Sequence, residues 1–185
     1  SPISGISESG YRDPVSGMKG NGMGTYGQLT REMILYYAGD ARRINHFLKV
    51  YGFAKAIGEM EGLDAYIQNI LEIAALTHDI GIKQSEIKYG SSAGQYQQVE
   101  GPPEAEKMLN KLGVDRSVID RVCWLIAHHH TYTDIRDMDH QILVEADFLV
   151  NIHEDDMSPD AIRSVHDKVF KTESGKGILR ALYQF

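Results

Sequence analysis

Apolar residues along most of this chain recur at spacings of three and four, a period that fits amphipathic helices and little else. Val50, Phe53 and Ile57 form one stripe, Ile67, Leu71 and Ala74 a second, and Leu143 with Val150 a third. No stretch alternates cleanly, and no hairpin dipeptide lies between β-branched runs, so nothing reads as a strand. The expected fold is all-α, a single-domain helical bundle of about seven helices, and 185 residues leave little room for a second full domain.

Capping residues and helix breakers divide the chain. Thr30 opens a short helix through Tyr37, Asp40 caps a second to about Glu61, and Asp64 starts a third that ends near Ile80. Gly101-Pro102-Pro103 opens the next, because proline is tolerated in a first turn, and Gly113 closes it. Asp115 caps a helix running into His128, an apolar helix spans roughly Gln141 to Ile152, and Ser158-Pro159 opens one ending near Lys171. A last short helix is expected after Gly177. Between Gly81 and Gly101 some twenty residues of largely polar, glycine- and serine-containing sequence show no period, the mark of either a surface excursion or a functional loop.

Residues 1–27 hold Gly5, Gly10, Gly17, Gly20, Gly22, Gly24 and Gly27 among five serines, with little periodicity. They read as a flexible leader, added or native, with Met18 and Met23 as candidate starts and the helical domain over 28–185.

Composition excludes several function classes. With 19 basic and 26 acidic residues the net charge is -7, which disfavours nucleic acid and anionic membranes as partners. Cys123 stands alone, so neither an internal disulfide nor a cysteine-based zinc site can form, and a cytoplasmic setting is expected. A phosphate-bearing substrate would have to be attracted locally, by a metal or a few placed cations.

The apolar stripes carry polar exceptions. His46 lies on the stripe of Val50, Phe53 and Ile57, His78 continues that of Ile67, Leu71 and Ala74, and Asp147 falls between Leu143 and Val150. A buried ionised carboxylate needs a cation or strong donors. A metal held by His46, His78, Asp79 and Asp147 would meet that need, and two imidazoles with two carboxylates suit Mn²⁺, Fe²⁺, Co²⁺, Ni²⁺ or Zn²⁺. The plain alternative for each histidine is a hydrogen-bonded core residue.

Taken together, His46, the His78-Asp79 doublet within Ala75-Leu76-Thr77-His78-Asp79-Ile80-Gly81, and Asp147 within Glu145-Ala146-Asp147-Phe148 resemble the signature of the HD-domain metal-dependent phosphohydrolases, over about residues 38–156. The resemblance implies these four residues around a divalent metal and hydrolysis of phosphomonoesters or phosphodiesters, often of nucleotides. Two-metal members add histidines between the doublet and the last aspartate. The first commonly sits four residues before a glycine at a helix start, a place that Gln97 takes here, and the second ends the following helix, where this chain offers His128, His129 and His130. The resemblance thus implies one firmly bound metal, with a weaker second metal or a substrate contact at His128 or His129. Spacing alone does not choose among the three histidines.

Arg43, one turn before His46, and Lys83, four residues after Asp79, are candidate phosphate contacts and so candidate catalytic residues alongside Asp79. Asn151 follows Asp147 by one turn, whereas His153 and Glu145 fall about 240° and 200° round the helix from it. Lys88, Tyr89, Gln95, Tyr96, Tyr132 and Thr133 are candidates for specificity. The expected partner is a small phosphorylated substrate. The rival readings are a metal- and nucleotide-binding regulatory module without turnover, and a purely structural helical protein.

Overall fold

The computed structural model describes residues 25–185, and among them every regular element is a helix. In chain order these are α1 (Thr25–Tyr36), α2 (Ala41–Met60), α3 (Ala65–Thr77), α4 (Ile82–Tyr89), α5 (Gly94–Lys111), α6 (Arg116–His128), α7 (Met138–Glu154), α8 (Pro159–Lys168) and α9 (Glu173–Tyr183). Side-chain caps set four of the starts. Asp40 accepts from the Arg43 amide at 3.1 Å, Asp64 from Ile67 at 2.9 Å, Ser158 from Ala161 at 3.2 Å and Thr172 from Gly175 at 2.9 Å. Each such cap is worth about 1 kcal/mol. Asp115 precedes α6 as expected, but its side chain makes no capping bond.

α3 and α7 form the centre. Leu71, Ala74 and Ala75 on α3 and Ile142, Leu143, Val144 and Ala146 on α7 are fully buried, and nearly the whole circumference of α7 is covered, as an apolar helix requires. α2 packs against both, α5 lies on α6, and α9 closes over α7 and α2. One continuous apolar cluster joins them.

The structure departs from the sequence expectations at both ends of that pattern. Residues 1–24 of the expected leader lie outside the described residues, but its last three residues belong to α1, whose buried positions Leu29 and Met33 continue to Tyr37 just beyond it. With α4, which was not anticipated, the described helices number nine, and the last short helix, α9, starts at Glu173, ahead of Gly177. The patternless stretch is not a loop: α4 and the first turns of α5 occupy it, and Pro102 and Pro103 sit inside α5 instead of opening it. Two prolines remove the donors for the carbonyls of Gln98 and Val99, and both residues are exposed, where water can replace a lost helical bond.

Two glycines place this helix. Gly81 has an ordinary helical φ of -74°, so its lack of a side chain matters for space, not for backbone freedom. A Cβ there would lie 2.7 Å from the Gly101 nitrogen and 2.9 Å from the Gln97 carbonyl oxygen. The backbone immediately after His78-Asp79 therefore rests directly on α5.

Candidate metal centre

Four elements deliver the polar exceptions of the apolar stripes to one place. His46 comes from the middle of α2, His78 from the C-cap of α3, Asp79 from the turn that follows, and Asp147 from the middle of α7. Nε2 of His46 lies 3.2 Å from Nε2 of His78 and 3.2 Å from Oδ2 of Asp79, which is 3.3 Å from Nε2 of His78. Donor atoms sharing one transition-metal ion at about 2.0–2.1 Å stand roughly 3–3.4 Å apart, so these three atoms have the spacing of a ligand set. Asp147 Oδ1 touches both imidazoles, at 3.1 Å from His46 and 3.3 Å from His78.

The histidines are oriented from behind. Nδ1 of His78 donates to the Ala75 carbonyl at 2.7 Å, and Nδ1 of His129 donates to the Ile126 carbonyl at 2.7 Å. Nδ1 of His46 donates to Glu154 Oε2 at 3.1 Å. A neutral ring that donates through Nδ1 presents a lone pair at Nε2, the tautomer a metal needs. The doublet itself is held by Tyr37, whose hydroxyl donates to the Asp79 carbonyl at 2.7 Å.

Charge is concentrated here. Burial works against ionising Asp79, but the charge of His78 and hydrogen bonds from His46 and His78, with His129 close by, outweigh it and hold the carboxyl well below its usual range. Burial likewise opposes ionisation of Asp147, and the charge of His78 with hydrogen bonds from His46 and His78 reverses the balance. For His46, burial disfavours the cation, yet hydrogen bonds to Asp147 and Asp79 lift its pKa to about 9. Two ionised carboxylates thus draw positive charge into a largely buried site, a demand that either protons or a divalent ion can meet.

A second group adjoins the first through Asp79. Its Oδ1 lies 3.4 Å from Nε2 of His129, a fully buried atom with no hydrogen-bond partner, and Asp79, His129 and His130 together could hold a cation. His130 contacts Gln97 Oε1 at 3.4 Å and the Tyr132 hydroxyl at 3.2 Å. His128 does not belong to the centre, contrary to expectation. Its Nδ1 donates to the Trp124 carbonyl at 2.7 Å and its ring stacks on Trp124 at 4.0 Å, because α6 ends at His128 and each further residue swings about 100° round the axis.

A family model for the HD domain matches residues 43–164, which span every candidate metal ligand. The chain belongs to the HD-domain family. A crystal structure of a predicted HD superfamily hydrolase from an uncultured Thermotogales bacterium is similar to it, with a TM-score of 0.59 at 27% identity over 85% of this chain and 82% of that one. A search of curated proteins found no significant match.

In this HD domain a cavity of about 440 Å³ opens onto the centre, lined by Asp40, Arg42, Arg43, His46, Asp79, Ile82, Ser92, Asn151 and Glu154. Arg43 stands at its rim, but not free. Its guanidinium forks onto Glu86, with Nη1 3.3 Å from Oε2 and Nη2 closer still to Oε1, and also pairs with Asp40 at 3.2 Å. Lys83 leaves the site altogether: its ammonium reaches the Tyr36 carbonyl at 3.2 Å and lies over the Tyr36 ring, because α4 turns that side chain toward α1. Asn151 lines the cavity, whereas Glu145 faces α9 and accepts from Thr172. Of the specificity candidates, Lys88 and Tyr89 are bound to Glu100, Tyr89 stacks on Tyr96, and Tyr132 reaches the centre through His130.

Sequence reasoning passed over Glu154 and left His130 undecided. Glu154 had a readable signal, since it follows Asp147 by seven residues and so shares its face of α7. His130 had none.

Proposed function

We propose that this HD domain is a metal-dependent phosphohydrolase acting on a phosphomonoester or phosphodiester of a small phosphorylated metabolite, nucleotides included. The observation that carries the reading is the convergence of His46 and His78, each anchored through Nδ1, with Asp79 and Asp147, where His46 and Asp79 line an open cavity. His129, equally anchored, leaves a buried Nε2 without a partner beside them. The description of the Thermotogales relative as a hydrolase supports the same reading.

His46, His78, Asp79 and Asp147 would hold one divalent transition ion firmly, and His129 and His130 with Asp79 a weaker second ion or the substrate. Such an ion supplies Lewis acidity toward a phosphoryl oxygen and toward water. The chain's own part is positional. Buried carboxylates and imidazoles fix the charge at the cavity floor, and Arg43 at the rim offers a planar guanidinium to phosphate once it leaves Glu86. The rival reading, a regulatory module that binds a metal and a nucleotide without turnover, draws on two observations: Gln97 stands where a further ligand was expected, and two carboxylates already neutralise Arg43.

Elemental analysis of the purified protein, followed by a panel of nucleotides and sugar phosphates with Mn²⁺ added, tests the proposal. A bound transition metal and turnover that disappears in His78→Ala and Asp79→Ala are expected. Tight nucleotide binding without product would favour the regulatory module, and a metal-free protein whose activity survives both substitutions would sink the metal reading.

A further inference from the structure

One helix supplies a carboxylate in front of His46 and another behind it. Asp147 and Glu154 are two turns apart on α7; Asp147 Oδ1 lies 3.1 Å from Nε2 of His46, and Glu154 Oε2 lies 3.1 Å from Nδ1 of the same ring. The second oxygen of Glu154 lies 3.5 Å from the ammonium of Lys49, one turn after His46 on α2. The Glu154 side chain is only 14% exposed, so little water competes for the bond. His78 and His129 are held by main-chain carbonyls instead. Of these three rings, His46 alone is oriented by a charged side chain.

We propose that Glu154 is a positioning residue that makes His46 a metal ligand. Its carboxylate accepts the Nδ1 proton, fixes the ring against rotation and enriches Nε2 in electron density, more strongly than a neutral carbonyl can. Lys49 in turn holds the carboxylate in place. This rests on the metal-centre reading above. If Glu154 served only to tie α2 to α7, its removal would lower stability without changing how tightly the centre holds an ion.

The test is titration of the metal-stripped full chain with Co²⁺, followed by the visible absorption of the bound ion, for wild type, Glu154→Ala and Glu154→Gln. Loss of a residue that orients a ligand weakens metal affinity about 10–100-fold, which is the expectation for Glu154→Ala. Glu154→Gln keeps an acceptor at the same reach without the charge and should recover part of the loss. Glu154→Ala binding Co²⁺ as tightly as wild type, or Glu154→Gln binding no better than Glu154→Ala, overturns the role of Glu154. If Glu154→Ala fails to fold, wild-type affinity in Glu154→Gln overturns it equally. A wild-type protein that binds no Co²⁺ overturns the metal-centre reading itself, an outcome distinct from unaltered variants of a protein that does bind.

Discussion

At the scale of single residues the site depends on a side chain that is missing. The contact of Gly81 with Gly101 seats the turn carrying Asp79 on the helix carrying Gln97, and a Cβ at Gly81 would meet backbone atoms at 2.7 to 2.9 Å that cannot swing aside. Overpacking of that kind costs about 1–3 kcal/mol. Gly81→Ala should therefore lower stability by that amount in urea unfolding and weaken metal binding with it. Gly52→Ala is the control: a Cβ there meets nothing within 4 Å, and alanine in an exposed helix interior is favoured by roughly 0.5–1 kcal/mol. A Gly81→Ala protein as stable as Gly52→Ala would show that the two backbones can part without penalty.

At the scale of elements, what could be read in advance and what could not divides along chemistry. α2, α3 and α7 bury apolar stripes, so their helical period is visible, and a histidine or aspartate on such a stripe is conspicuous because it breaks the pattern. The inward residues of α4 and of α5 up to Gly101 are Ser85, Gln97, Glu100 and Gly101, so these segments carry no hydrophobic period and look like a loop. The choice among His128, His129 and His130 depended on where α6 stops, and a helix end is set by tertiary contacts that spacing does not encode. α9 illustrates another polar device. Glu145, fully buried on α7, accepts from the Thr172 hydroxyl at 2.6 Å, from the amides of Lys171 and Thr172 at 3.1 Å and from Gln141 at 2.6 Å. Each orphaned buried donor costs about 1–3 kcal/mol, so Glu145→Ala should destabilise by roughly 3 kcal/mol or more. Amide exchange over 173–183 should quicken well before that of α3; equal acceleration throughout would mean that α9 does not hang on this carboxylate.

For the molecule as a whole, the groups at the centre lie far apart in the chain, from His46 to Asp147, and an ion held by them would tie α2, α3 and α7 together. No helix among the described residues is long and apolar enough to cross a membrane. A ligand that binds only the folded state stabilises it by about 4 kcal/mol at a thousandfold excess over its Kd. For a chain of this size each kcal/mol corresponds to about 2–4 °C in Tm, so stripping the metal with a chelator should lower the melting temperature by roughly 8–16 °C. Restoring Mn²⁺ or Zn²⁺ should reverse the shift. His78→Ala should melt at the stripped temperature with or without metal. His128→Ala, whose ring lies on Trp124 away from the centre, should keep the full difference. His129→Ala should retain most of it if the first ion is the firm one, and lose it if the two groups sharing Asp79 bind as a single unit. Differential scanning calorimetry of these proteins with and without chelator distinguishes the cases, and an identical Tm for stripped and loaded wild type would mean that no ion is held between these helices.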